Sequence, residues 1–178
     1  LLFQDADRQI AVRRGRVLDC WTPALRSPRV PYLQLYVHLV WATWDRQPLL
    51  VGDVEAHAHE IIGRTCRELR CVPLAIGGID NHVHVLLGLA ATVTIAELAQ
   101  KLKGTSSRLL GQAMPGNRGF RWQGGYGAFT LRKTDLPILE AYVLRQKEHH
   151  AASDVHADWE RSSDDTAPRA REGGRPNE

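Results

Sequence analysis

The sequence predicts an α+β fold: a ferredoxin-like (RRM-like) antiparallel sheet with helices on one face, plus one more helix at the C-terminal end. Two observations lead there. Segments rich in β-branched and aromatic residues alternate with segments whose apolar residues recur every three or four positions, in the order β-α-β-β-α-β-α. The first six of these elements match a split β-α-β arrangement, which leaves the second face of the sheet free to bind something.

Each element has its own signature. Leu35 to Thr43 (LYVHLVWAT) is β-branched and aromatic, hence a strand. Asp53 to Arg70 carries Val54, Ala58, Ile61, Ile62 and Leu69 at helical spacing, with Asp53 placed to cap it. Val72 to Ile79 and His82 to Leu89 read as strands joined by the turn residues Asp80 and Asn81. Thr94, with Glu97 three residues on, has the capping-box pattern. It opens a helix with the stripe Ile95, Leu98, Ala99, Leu102, Leu109 and Leu110. A glycine-rich stretch (GNRGFRWQGGYGAF) leads into a strand near Gly127 to Leu131. Thr134 or Asp135 caps a last helix that accepts Pro137 in its first turn and runs to about His150.

The organisation expected is an irregular N-terminal extension over 1–30, a folded domain over 31–152, and a disordered polar tail over 153–178. The chain opens on Leu1 and its single methionine is Met114, so a fragment or a gene-model artefact is expected at the start. With 178 residues and 43% apolar content, one domain with one core is expected and wholesale disorder is excluded. No apolar run reaches the roughly 18 residues of a membrane span, and the opening lacks a secretory layout. A soluble cytoplasmic protein is therefore expected. Cys20, Cys66 and Cys71 form no CxxC pair, which argues against a disulfide framework or a thiolate zinc site. The net charge of +3 permits a nucleic-acid partner without requiring one.

Two constellations could carry chemistry. In NHVHVLL, His82 and His84 point to one face of a strand, while Val83 and Val85 anchor the other. Two imidazoles so placed converge on a common point; alone, they suit a pair of surface histidines as well as a metal. On the last helix, Tyr142 and Gln146 are four residues apart and share a face, followed by His149 and His150. Tyr142 alone would read as a core or rim aromatic.

Taken together, NHVHVLL, KLKGTSSRLL, WQGGYGAFTL and AYVLRQKEHH resemble the HUH tyrosine transposases of the insertion-sequence-200 type, over about Tyr32 to His150. The resemblance implies a C-terminal catalytic helix with Tyr142 as the single nucleophile, forming a 5′-phosphotyrosine link. It implies His82, His84 and Gln146 as metal ligands, with Mg2+ or Mn2+ as the ion. It also implies single-stranded DNA with hairpin ends as the partner, and a homodimer. Such relatives continue beyond the paired histidines with ordered chain, whereas this sequence turns polar.

The DNA surface expected from the residues comprises Lys101, Lys103 and Arg108 on the second helix, with Arg121, Trp122, Tyr126, Arg132 and Lys133 around the glycine-rich segment. The same charges could be an ordinary solvated face, and the glycines a flexible hairpin entry. Two other functions compete: a non-catalytic nucleic-acid-binding protein that kept the fold, and a metal-dependent nuclease that nicks without rejoining.

Overall fold

The computed structural model describes residues 32–113 and 119–163; the expected N-terminal extension lies outside them. Strands β1 (Tyr36–Ala42), β2 (Val72–Ile79), β3 (His82–Gly88) and β4 (Gly127–Leu131) form one sheet in the order β2-β3-β1-β4. Each neighbouring pair is antiparallel. This is the ferredoxin-like arrangement that the sequence predicts.

The alternation of side chains gives the sheet two different faces. Val37, Leu39 and Trp41 of β1 and Val83, Val85 and Leu87 of β3 point to one face. There they meet Ala58, Ile61 and Ile62 of α1 (Asp53–Glu68) and Leu98, Leu102 and Leu110 of α2 (Ile95–Ala113). Burying a side chain of this size contributes about 1.5–3 kcal/mol. This core therefore fixes the register of β3 and, with it, the direction of His82 and His84.

The second face is not free. Ala75 and Leu86 pack there against Leu139, Tyr142 and Val143 of α3 (Leu136–Leu144). Gly77 makes the close approach possible, since a Cβ at that position would stand 1.9 Å from the Val143 carbonyl oxygen. The last helix is also two helices: α3 ends at Leu144 and α4 (Gln146–Ala151) follows, with Arg145 between them at φ −109° and ψ 26°. No Gly or Pro marks the break.

The caps differ in detail from the sequence reading. Gly52, at φ 56°, holds the cap position of α1, and Asp53 is the first helical residue. Thr94 Oγ1 accepts from the Glu97 N–H at 3.2 Å, as expected. Asp135 does not cap α3 through its side chain, because that carboxylate accepts from Arg132 and Thr134 instead.

Residues 153–163, which composition places in a tail, fold back over the second face. Trp159 packs against the Tyr142 cluster, and Ser162 is buried. The Tyr126 N–H donates to Ser163 Oγ at 3.2 Å. Gly127 leaves room for this segment, since a Cβ there would lie 2.0 Å from the Arg161 carbonyl oxygen. Close approach is thus the role of Gly127, whereas Gly124 has nothing within 4 Å of an added Cβ.

Gly77→Ala should push α3 off the sheet and destabilise the protein by about 1–3 kcal/mol, as overpacking does. A urea melt beside the wild type measures the loss; an unchanged midpoint would contradict the packing described.

Candidate functional site

The second face gathers polar groups where the sheet meets α3 and α4. His82 and His84 are 2% and 0% exposed, and their Nε2 atoms lie 3.3 and 3.2 Å from the same oxygen, Glu160 Oε2. His150 Nε2 lies 3.8 Å from that oxygen, and its ring leans on His82. The Tyr142 hydroxyl donates to the other carboxylate oxygen, Glu160 Oε1, and accepts from the His156 N–H at 3.2 Å. Among the described residues, His82, His84 and Glu160 form a group whose ligand atoms all lie within 4.8 Å of one another.

Closeness without alignment marks this cluster. The Nε2 atoms of His82, His84, His149 and His150, and both amide atoms of Gln146, are buried without a hydrogen-bond partner among the described residues. A buried polar atom left so costs about 1–3 kcal/mol. Lone-pair donors grouped around one point, near one another but not bonded to one another, fit a divalent cation.

The charge balance follows from burial. Burial alone would raise the Glu160 carboxyl, but the imidazoles of His82 and His84 and the Tyr142 hydroxyl hold it well below the usual carboxylate range. Burial lowers His84, and the Glu160 carboxylate only partly offsets it, so the ring stays neutral. Burial also lowers His150. Neutral imidazoles are what a metal ligand requires. The Tyr142 phenol is pushed up to about 12, first by burial and then by the Glu160 carboxylate, with the Gln146 amide opposing.

The structure brings His82, His84 and Tyr142 into one cluster. Gln146 is 1% exposed and close enough to the phenol to oppose its shift, although the helix breaks between the two. Sequence reasoning missed Glu160, and it missed His38 of β1, whose Nε2 lies 2.9 Å from His84 Nδ1. The signal for His38 was available: it alternates with Val37 and Leu39, which puts it on the histidine face. For Glu160 the one hint was Trp159, a large aromatic in a polar stretch.

The expected DNA surface divides. Trp122 is a core residue: it is 7% exposed, sits edge-on to Trp41 and Phe120, and its indole N–H donates to Ser106 Oγ at 2.8 Å. The sequence alone places it on the DNA surface, as an aromatic able to stack on unpaired bases. Lys103, Arg121 and Tyr126 line a hollow between α2 and the glycine-rich segment. There the Lys103 ammonium donates to the carbonyls of Gly124 and Gly125, and Arg121 lies 4.3 Å over the Trp44 ring. Lys101, Arg108 and Lys133 are exposed, and Arg132 is paired with Asp135 at 3.0 Å.

Ferredoxin-like sheets serve many ends, but this one sorts with proteins that move DNA. A candidate transposase from Deinococcus radiodurans R1 shares the fold at TM-score 0.53 and 24% identity, covering 66% of this chain and 95% of that one. A REP-associated tyrosine transposase bound to a REP hairpin shares it at TM-score 0.52 and 14% identity, covering 78% and 82%. No curated protein matches the chain. The family described as "Transposase IS200 like" matches residues 31–146, and the chain belongs to that family. Among the described residues, no helix is long and apolar enough to cross a membrane.

Raising a tyrosine pKa on folding favours the native state below the ordinary value near 10, and that contribution is lost as pH climbs toward the folded value of about 12. The absorbance difference between wild type and Tyr142→Phe should therefore show no phenolate between about pH 9 and 11. Glu160→Ala should bring ionisation into that window. Ordinary titration of Tyr142 in the wild type would contradict the burial and the carboxylate contact.

Proposed function

We propose that this transposase is metal-dependent and cuts and rejoins single-stranded DNA, with Tyr142 as the nucleophile and a 5′-phosphotyrosine intermediate. One observation carries the reading: the ligand atoms of His82, His84 and Glu160 converge on one point, and the same carboxylate holds the Tyr142 hydroxyl. A pure binding protein has no physical need for a buried phenol beside such a group.

His82 and His84 would hold the cation through Nε2, and Glu160 would add an oxygen ligand in the DNA-free protein. A divalent ion there would polarise the scissile phosphate and orient it for in-line attack. Imidazole suits Mn2+, whereas carboxylate and amide oxygens suit Mg2+, so a mixed donor set accepts either. The Tyr142 oxygen bonds to phosphorus as the bond to the 3′ oxygen breaks. The phenol loses its proton, and the departing strand gains one as a 3′-hydroxyl. Attack by another 3′-hydroxyl reverses both changes and restores a phosphodiester without ATP, because the tyrosyl ester keeps the energy of the broken bond.

Tyr142 is 3% exposed, with His156, Trp159 and Glu160 in contact with it. The strand therefore reaches the phenol once residues 153–163 swing aside, and Glu160 leaves with them. Gln146, with an amide oxygen that has no partner beside the phenol, then takes over as the oxygen ligand. The likeness to a hairpin-bound neighbour supports hairpin-ended single strands as the substrate. A homodimer working in the cytoplasm completes the proposal.

A labelled hairpin-ended single strand, incubated with the protein and Mn2+, should give a covalent protein–DNA adduct. Tyr142→Phe should abolish the adduct and retain binding, and chelation or the double change His82→Ala and His84→Ala should stop it. Gln146→Ala should slow adduct formation about a hundredfold, in the range for a lost metal-site partner, whereas Glu160→Ala should keep it. Cleavage without an adduct would replace this reading with a nuclease, and binding without cleavage would replace it with a non-catalytic binder.

A further inference from the structure

We infer that His38 is a positioning residue that sets which ring nitrogen of His84 carries hydrogen, and so readies His84 Nε2 for a cation; this rests on the metal site proposed above. His38 lies on β1, diagonally across from His84, which faces Val40 in the register of β1 and β3. It is 0% exposed, so no bulk water competes for its ring. Its Nε2 lies 2.9 Å from His84 Nδ1, with the two ring planes within 7° and the centroids 5.1 Å apart. Rings so placed are joined edge to edge, with the hydrogen bond lying in their common plane. Phe129, opposite His38 on β4, lies against the ring at 5.8 Å and limits its rotation.

A neutral imidazole has one N–H and one bare nitrogen, so a single hydrogen lies between the two rings. When His38 Nε2 donates, the hydrogen of His84 must sit on Nε2, facing Glu160 Oε2 at 3.2 Å. That arrangement suits the metal-free protein. When His84 Nδ1 donates instead, its Nε2 presents a lone pair, as a metal ligand must, and the hydrogen of His38 moves to Nδ1. Nδ1 of His38 is buried without a partner among the described residues, so it can be bare or protonated without losing a bond. Between the two states the bridging hydrogen passes from His38 Nε2 to His84 Nδ1, and His84 Nε2 releases its own toward the Glu160 carboxylate. His38 Nδ1 takes one from solvent in a local opening, so the pair keeps two hydrogens and neither ring turns. A side chain at position 38 must be able either to donate or to accept at one place beside His84 Nδ1 to allow this. Leu does neither, and Gln can do both by turning its amide.

The test uses the full chain and follows Mn2+ binding by the electron paramagnetic resonance of the unbound ion, beside a thermal melt of each variant without metal. His38→Leu is expected to weaken Mn2+ binding about ten- to a hundredfold, the range for a lost hydrogen-bond partner of a ligand. His38→Gln should recover most of that loss, and His84→Ala should abolish binding. Equal affinity in wild type and His38→Leu, with binding lost in His84→Ala, overturns this inference and leaves the metal site standing. No Mn2+ binding by the wild type overturns both. The unmutated protein supplies an independent measurement through histidine 15N spectra, with Zn2+ as a diamagnetic probe. The expected result is a hydrogen shift from Nε2 to Nδ1 on both His84 and His38 when Zn2+ is added. A His38 ring that keeps its hydrogen on Nε2 overturns the inference whether or not His38→Leu folds.

Discussion

Imidazoles withdrawn from water cannot be left facing hydrocarbon, and the second face of this sheet withdraws three of them. His38, His82 and His84 are each no more than 2% exposed. Burial pushes His38 down to about 3, with the neighbouring His84 adding to the shift, so a charged form is not the remedy there. A line of contacts runs from His38 through His84 to Glu160 and on to Tyr142, and hydrogen bonds close its two ends. Between them the Nε2 atoms of His82 and His84 face the carboxylate at 3.3 and 3.2 Å without an aligned hydrogen bond. The carboxylate is the one formal charge in that line. Its place on a returning segment is why that segment packs rather than dissolving into solvent.

The apolar half of the molecule serves this arrangement. Valines on the reverse of β3 lock the strand against α1 and α2, and a one-residue slip would turn His82 and His84 into the core. Gly77 admits α3 to the sheet surface, which sets the depth of the Tyr142 hydroxyl. Trp122, anchored on Ser106, joins the glycine-rich segment to α2 and leads the chain into β4. The site is thus positioned by regular elements on three sides and by an irregular segment on the fourth.

Much of this was legible in the sequence because it follows local periodicity. The period-two alternation of NHVHVLL gave both the strand and the face of its histidines, and helical stripes located α1 and α2. What stayed hidden depends on contacts distant in sequence. The break at Arg145 carries no Gly or Pro. Trp122 looks open beside its glycines, and its burial comes from Trp41 and Ser106, far along the chain. Residues 153–163 have a tail's composition, yet Trp159, Glu160 and Ser162 each find a partner or a buried site that the folded sheet creates. Composition measures what a segment can bury by itself, and here the receiving surface decides.

The central claim is that one cation site lies between the two sheet histidines and the Tyr142 helix. Crystals of the full chain soaked in Mn2+ and measured at the manganese absorption edge test it most directly. The account predicts one anomalous peak within coordination distance of His82 Nε2, His84 Nε2 and an oxygen of Glu160 or Gln146. A well-ordered site with no peak there at saturating Mn2+, or a peak held by other residues, would contradict it.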